Sequence, residues 1–341
     1  MNFQALDLQV RGFGVVSPGG IGPASLRREF PEAEETSLGR PEVKWPVSRV
    51  NLKEAWAASL QKEPRLRRAS PLAYFLAESV SQALQGAGDI PRPRIGLIGA
   101  FFTGSLVYSR RFYADIVRRG QSFASPALFP ETVFNSPLSH AAAMHGLSGH
   151  MYAVVGDETA WVTALQTAAT WLALRRVDAV VVVGAEELDA VAVEAYQCAG
   201  WLKGPEPIRP SEGAGALLVF RGDASDPGTL AASASCPYAS SRRAGTAAHA
   251  VLAGLPSCPI WPSSRLGWFH ALEKNCAGPR LTAPPAGRSR DYAFTASAAW
   301  DTIRCLLREN GSGETLQPVW GCNHQISALH LRPPQSKFPG A

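Results

Sequence analysis

The chain has 341 residues, 46% hydrophobic and 18% charged, with 33 basic against 28 acidic side chains, a net charge of +5 and a pI near 9.0. This excludes a disordered chain and leaves apolar surface for a large core, as two domains or one two-lobed unit. The basic side chains fall in scattered pairs such as Arg110-Arg111, Arg118-Arg119 and Arg175-Arg176, without a basic run interleaved with aromatics, which argues against a nucleic-acid partner.

The opening MNFQALDLQVRGFGVV lacks a cationic start followed by an apolar stretch, and no apolar run reaches membrane-spanning length; a cytoplasmic protein with no membrane partner is expected. Residues 8–16 read as a strand stopped by Ser17-Pro18-Gly19-Gly20, and 21–66 as irregular. Ser70-Pro71 is an N-cap and N1 pair ahead of a helix over 72–84. Residues 94–100 form a short buried strand, 101–140 an excursion rich in aromatics, Arg and Pro, and 138–145 a short helix.

The segment from His145 to Glu187 then reads as a small-residue strand, a sharp turn at Gly156-Asp157-Glu158-Thr159, a long Ala/Leu/Thr helix and a fully apolar strand closed by Gly184 and two acids. A turn at the N-terminus of a buried helix collects backbone N–H groups and suits a nucleophile or an anion. No Cys or Ser stands at its tip. A helix at 191–196, a loop at 200–209, a strand at 212–220 and a linker at 222–228 follow. The order then repeats in shorter form: strand 229–235, helix 243–253, strand 257–261, helix 267–274, a loop at 284–287, helix 297–307, and strands 315–320 and 325–332. Strands alternating with helices predict a mostly parallel sheet covered on both faces.

With these landmarks in order, the chain resembles the β-ketoacyl synthases of the thiolase superfamily. Val10-Arg11-Gly12-Phe13-Gly14-Val15-Val16-Ser17-Pro18-Gly19-Gly20 looks like the family's opening strand and turn. Phe129-Pro130 through Asn135 and Ala141 looks like the segment ahead of its nucleophile, Arg176 to Glu187 like the strand behind the nucleophile helix, and Glu212-Gly213-Ala214-Gly215-Ala216 like the strand closing the first half. Gly321-Cys322-Asn323 is a poor relic of the C-terminal glycine-rich loop. The resemblance implies a duplicated five-layer αβαβα fold with a shortened second half, divided into 1–222, with 101–140 as a cap, and 223–341.

The family's chemistry needs a Cys at the helix tip and two His residues from the second half. Counting back from Asp178 by the family's spacing places the nucleophile at 178 − 158 = 20 residues upstream, which is Glu158. The two His positions fall near Trp261, in Trp261-Pro262-Ser263-Ser264-Arg265, and near Phe294, in Ala293-Phe294-Thr295. No catalytic residue is therefore expected. A carboxylate cannot replace the thiolate, since acylation would give a mixed anhydride. Glu158 reads either as an ordinary helix-start acid or as a replacement that holds the turn or fills the oxyanion hole.

A ketosynthase-like chain of this kind is similar to a chain-length factor, of the sort found in aryl-polyene or flexirubin-type pigment clusters. The expected partners are an active ketosynthase in a heterodimer, or a second copy in a homodimer, and an acyl carrier protein whose phosphopantetheine thioester is reached through the partner. No cofactor and no metal are expected. A malonyl-carrier decarboxylase, or an acyltransferase using Ser148, Cys198 or Cys322, is the alternative.

The six cysteines contain no CxxC pair and read as reduced thiols. His140, His145 and His150 recur every five residues, off any shared helix face, while His249, His270, His324 and His330 fit no triad spacing. His270 and His324 become candidates only in a different register. Gly146-Leu147-Ser148-Gly149-His150 does not meet G-x-S-x-G, and Ser59-Leu60-Gln61-Lys62 matches S-x-x-K by chance.

Overall fold

The computed structural model describes the chain except residues 37, 39–41, 52–62, 205, 224–227, 283–289, 309–312 and 334–341. The Ser59–Lys62 motif, most of the 222–228 linker and the loop at 284–287 lie outside the described residues. In chain order the first half runs β1 (Asn2–Ser17), β2 (Gly20–Ile21), β3 (Ala33–Thr36), β4 (Lys44–Val47), α1 (Pro71–Ala83), β5 (Ile95–Phe101), α2 (Leu106–Arg119), α3 (Ser136–His145), β6 (Met151–Val155), α4 (Thr159–Ala173), β7 (Ala179–Glu186), α5 (Ala190–Cys198), β8 (Arg209–Pro210) and β9 (Gly213–Arg221). The second half runs β10 (Thr229–Pro237), α6 (Ala244–Ala253), α7 (Gly267–Ala277), β11 (Asp291–Tyr292), α8 (Phe294–Leu306), β12 (Thr315–Gly321) and β13 (Gln325–Arg332).

The fold is thiolase-like, with five layers. Helices α1 and α3 cover the outer face of β1, β9, β7, β5 and β6. The middle layer is α4 beside α8, each touching β7 and β9 on one side and β12 and β13 on the other. The second sheet, β10, β13 and β12, is covered outside by α6. It is shorter than the first, as expected. Helix α8 is buried on nearly every side, as its position between two sheets requires.

The two sheets are hydrogen-bonded through β1 into one path of eight strands, with β2 paired beside β1 as a ninth. Asn2–Gln9 pairs with β10 and Leu8–Val16 with β9, and the register breaks between Ala5 and Leu8, where Asp7 takes a φ of 45°. One strand therefore serves both halves, and a bulge redirects it between them.

Two expectations are corrected. The sheet is mixed, with parallel pairing at β5/β6 and β5/β7 and antiparallel pairing from β7 through β9, β1, β10 and β13 to β12. Residues 322–324 alone join β12 to β13, far too few for a parallel crossover. The strand expected at 257–261 is reduced to bridges from Ile260 to Leu281 and Leu316. Pro259 and Pro262 flank it and remove the N–H groups a longer ladder needs. The 101–140 excursion is largely helical, holding α2 and the start of α3. All six cysteines are free. Among the described residues no helix is long and apolar enough to cross a membrane.

Candidate functional site

The turn ahead of α4 is built from Asp157 and Glu158, 3% and 6% exposed. Asp157 does the capping: its Oδ1 accepts the Thr159 N–H at 3.0 Å and the Thr159 hydroxyl at 2.6 Å. This satisfies a donor the first helical turn leaves open. The expected role of Glu158 in holding the turn thus falls to its neighbour. Glu158 instead faces the β12–β13 turn, where its Oε2 accepts the Cys322 N–H at 3.3 Å, while Asp157 Oδ2 accepts the Asn323 N–H at 2.7 Å. The approach depends on Gly321, since a Cβ there would lie 2.6 Å from Asp157 Oδ2. Two carboxylates and the Cys322 thiol converge, with one ligand atom from each lying within 4.8 Å of the others.

Burial, then the charge of Asp157, pushes the Glu158 carboxyl well above the ordinary range, and Arg265 pulls it back only weakly. Cys322 is pushed up strongly by burial and by both acids. It is therefore a protonated thiol with the opposite electrostatics to an activated nucleophile. Ser148 lies exposed in the turn before β6 and Cys198 exposed at the end of α5, both away from this turn.

The segment expected to carry the first His does meet Glu158. Glu158, Ser263, Ser264, Arg265, Tyr292 and Ser297 help line one cavity of about 20 Å³, room for about one water molecule. Arg265 donates to Asp301 Oδ2 at 2.7 Å and to Oδ1 at 2.9 Å, both partners being nearly inaccessible. Ser264 Oγ donates to Glu273 Oε2 at 2.7 Å and lies 2.9 Å from His270 Nδ1, whose Nε2 is 3.4 Å from Glu206. Trp261 itself is buried against the middle layer.

At the second His position Phe294 is 1% exposed, with a φ of 34°. It stacks on Phe102 at 4.2 Å and packs against Tyr292 at 4.6 Å and Tyr196 at 5.4 Å. The Thr295 hydroxyl is held 2.8 Å from both Ala100 O and Glu186 Oε1. Glu186 also accepts the Phe102 and Thr103 N–H groups at 2.7 and 2.9 Å. Beside it, Glu187 takes the Leu72 N–H at 3.1 Å and the Val107 N–H at 2.8 Å, at the N-termini of α1 and α2. These two acids fasten loops and helix starts to the end of β7.

The remaining histidines are structural in their placement. His140 pairs with Glu131 at 2.9 Å, His145 reaches Ala77 O at 2.9 Å, His150 packs edge-on to Trp171 and His330 meets Glu314 at 2.9 Å. His249 is exposed on α6, and His324 occupies the β12–β13 turn with a φ of 64°, its ring 5.1 Å from that of Tyr238.

A family model, the N-terminal domain of β-ketoacyl synthases, matches residues 9–223. The chain belongs to the β-ketoacyl synthase family. No curated protein matches it by sequence. Among solved structures, the ishigamide ketosynthase/chain length factor aligns with a TM-score of 0.75 at 18% identity, over 96% of this chain and 99% of that one. A β-ketoacyl synthase from Burkholderia phymatum gives a TM-score of 0.74 at 12% identity, over 96% and 100%. The ketosynthase ApeO in complex with its chain length factor ApeC, from Xenorhabdus doucetiae, gives 0.69 at 13%, over 95% and 97%. At these identities the likeness is one of fold. Within the family frame, the turn at 156–159 stands where the acylation centre is expected, and a carboxylic acid occupies it.

Proposed function

We propose that this ketosynthase-family chain is a non-catalytic partner subunit of the chain-length-factor kind. The observation that supports this reading most is the state of the family's acylation centre. Glu158 is buried beside a cavity of about 20 Å³, Arg265 is committed to Asp301, and an aromatic cluster fills the position of the second His. An acyl chain has no room at that turn and a thioester meets no nucleophile. The same closure disfavours malonyl-carrier decarboxylation, which needs space for the carrier's thioester and a donor to its enolate oxygen.

The pairing surface in this reading is the free side of β6, the end strand of the long sheet. Met151, Tyr152 and Val155 on it are exposed, as are Tyr113, Phe123 and Phe129 in the excursion that precedes it. An uncovered apolar strand edge favours pairing with another chain. The exposed Arg118-Arg119 and Arg175-Arg176 pairs supply basic surface for an acidic carrier protein.

Co-expression with an active ketosynthase and a carrier protein from the same source, followed by affinity purification and product analysis, tests the proposal. The expected result is a stable complex whose product length changes when this chain is omitted. If the two proteins never co-purify and the products are the same without it, the proposal fails.

A further inference from the structure

Asp157, Glu158 and Cys322 bring two carboxylates and a thiol to one place, across 164 residues of sequence between Glu158 and Cys322. The cation that acts on Glu158, Arg265, already holds Asp301 through both terminal guanidinium nitrogens. A second, independent observation comes from β10 and the residue after it. Tyr238 is 6% exposed, and its hydroxyl is buried with no hydrogen-bond partner. Its ring packs on His324 in the same turn that carries Cys322, and its N–H bonds His324 O at 2.9 Å. The charges of Asp157, Cys322 and Glu158 all reach the phenol, which packs on the turn that carries Cys322. An orphaned buried hydroxyl beside an acidic cluster is costly unless something polar lies near it.

We infer that Asp157, Glu158 and Cys322 form a binding site for one divalent transition-metal ion of the zinc class, with the Tyr238 phenol as the fourth polar group, on the ion or on its bound water. Zinc ligands sit about 2.0–2.3 Å from a tetrahedral ion, hence about 3.3–3.8 Å from one another. A mutual separation within 4.8 Å closes on a common ion by side-chain movement of up to about 1 Å. Binding displaces the protons of the Cys322 thiol and the Glu158 carboxyl to solvent, and one thiolate with two carboxylates selects zinc, or cobalt as its substitute, over magnesium and calcium, which take oxygen ligands alone. The backbone N–H groups of Thr159, Cys322 and Asn323 orient the carboxylates from behind, as outer ligands do in metal sites. Gly321 keeps the space clear, and the half-buried Cys322 leaves a way in for the ion. The site stands independently of the partner-subunit reading, since it needs this chain alone.

The full chain, stripped with a chelator, is titrated with Zn²⁺ in a calorimeter and with Co²⁺ in a spectrophotometer. One equivalent is expected to bind, with a raised melting temperature and, for Co²⁺, a near-ultraviolet thiolate-to-cobalt charge-transfer band. Cys322→Ser and Glu158→Gln remove the band, and Tyr238→Phe weakens zinc binding about 10-fold. Zinc also protects a single thiol from maleimide, and mass spectrometry identifies it as Cys322; this readout needs no variant to fold. Absence of saturable binding by the unaltered chain, a band that survives Cys322→Ser, or protection of a different cysteine overturns the inference.

Discussion

The two helices of the middle layer begin in opposite surroundings. Helix α4 starts at a polar turn where Asp157 caps the backbone and Glu158 and Cys322 gather beside it. Helix α8 starts in an aromatic plug, with Phe294 wedged among Phe102, Tyr292 and Tyr196. There the Ala293 N–H is taken up by the Ser297 hydroxyl at 2.8 Å, one turn into the helix. In a duplicated fold each half delivers one helix start to the shared centre. Here one start keeps a concentration of charge and the other has become packing. On the proposed reading, the acid at the first start stands in place of a nucleophile, and the ring at the second takes the space of substrate and proton donor.

The comparison can be broken first at the charge that supports it. Arg265→Ala takes from the buried Asp301 its two-pronged partner, leaving Arg304 at 3.1 Å as a weaker counter-charge, and is expected to cost about 3 kcal/mol in urea unfolding; an unchanged midpoint would show the pair to be incidental. Gly321→Ala drives a Cβ against Asp157 and forces the β12–β13 turn away from α4, at about 1–3 kcal/mol by the same measurement. Thr302→Val tests the link between the two helices themselves. The Thr302 hydroxyl accepts the Trp161 indole N–H at 2.9 Å and donates to Gln317 at 2.8 Å. Leaving that indole donor unmet is expected to cost about 1–3 kcal/mol.

A smaller effect is read from pH. Burial holds Glu187 at about 8, although two helix N-termini pull it back down. Between its ordinary value near 4.5 and about 8 the folded chain keeps a proton that the unfolded chain releases. Stability therefore falls as pH rises through that window and levels off above it. Glu187→Gln should lessen the fall of the melting temperature across it, leaving the residual slope of the other raised carboxyls, among them Glu158 and Glu186, the latter placed by burial at about 7. The smallest expected effect is none. Glu158→Cys puts a thiol at the turn, beside the same cavity of about 20 Å³, and a thioester probe should not label it. Labelling comparable to an active ketosynthase would show that one substitution had closed the site.

Much of the fold was legible because its signals are local. The apolar run of β7, the small-residue face of α4 and the Ser70-Pro71 start of α1 each declare an element by spacing and end chemistry. The place given to Glu158 came instead from the family resemblance, counted back from Asp178 by the family's spacing. What was hidden depends on segments far apart in the chain. The pairing of Arg265 with Asp301, the arrival of Cys322 at the turn and the orphaned hydroxyl of Tyr238 leave no periodic trace. Asp157 was within view, but an Asp beside a Glu at a helix start does not announce which of them caps. The antiparallel course of the sheet was announced only by the brevity of the 322–324 turn, and the prolines around Ile260 were the cue that its strand would fail to extend.

The strand β1 carries one more consequence. Its residues 2–9 are clasped by β10, which ends at Pro237, while 8–16 are clasped by β9. On the ribosome, the opening segment must wait until more than two hundred further residues have been made before its partner exists. At about 5–20 residues per second that is a delay of roughly 10–45 s, with Leu6 and Leu8 unpaired. The seam that unites the two lobes is thus sewn late, ahead in that sheet only of the β10–β13 and β12–β13 pairings, and a nascent chain is vulnerable to aggregation, and in need of a chaperone, at β1.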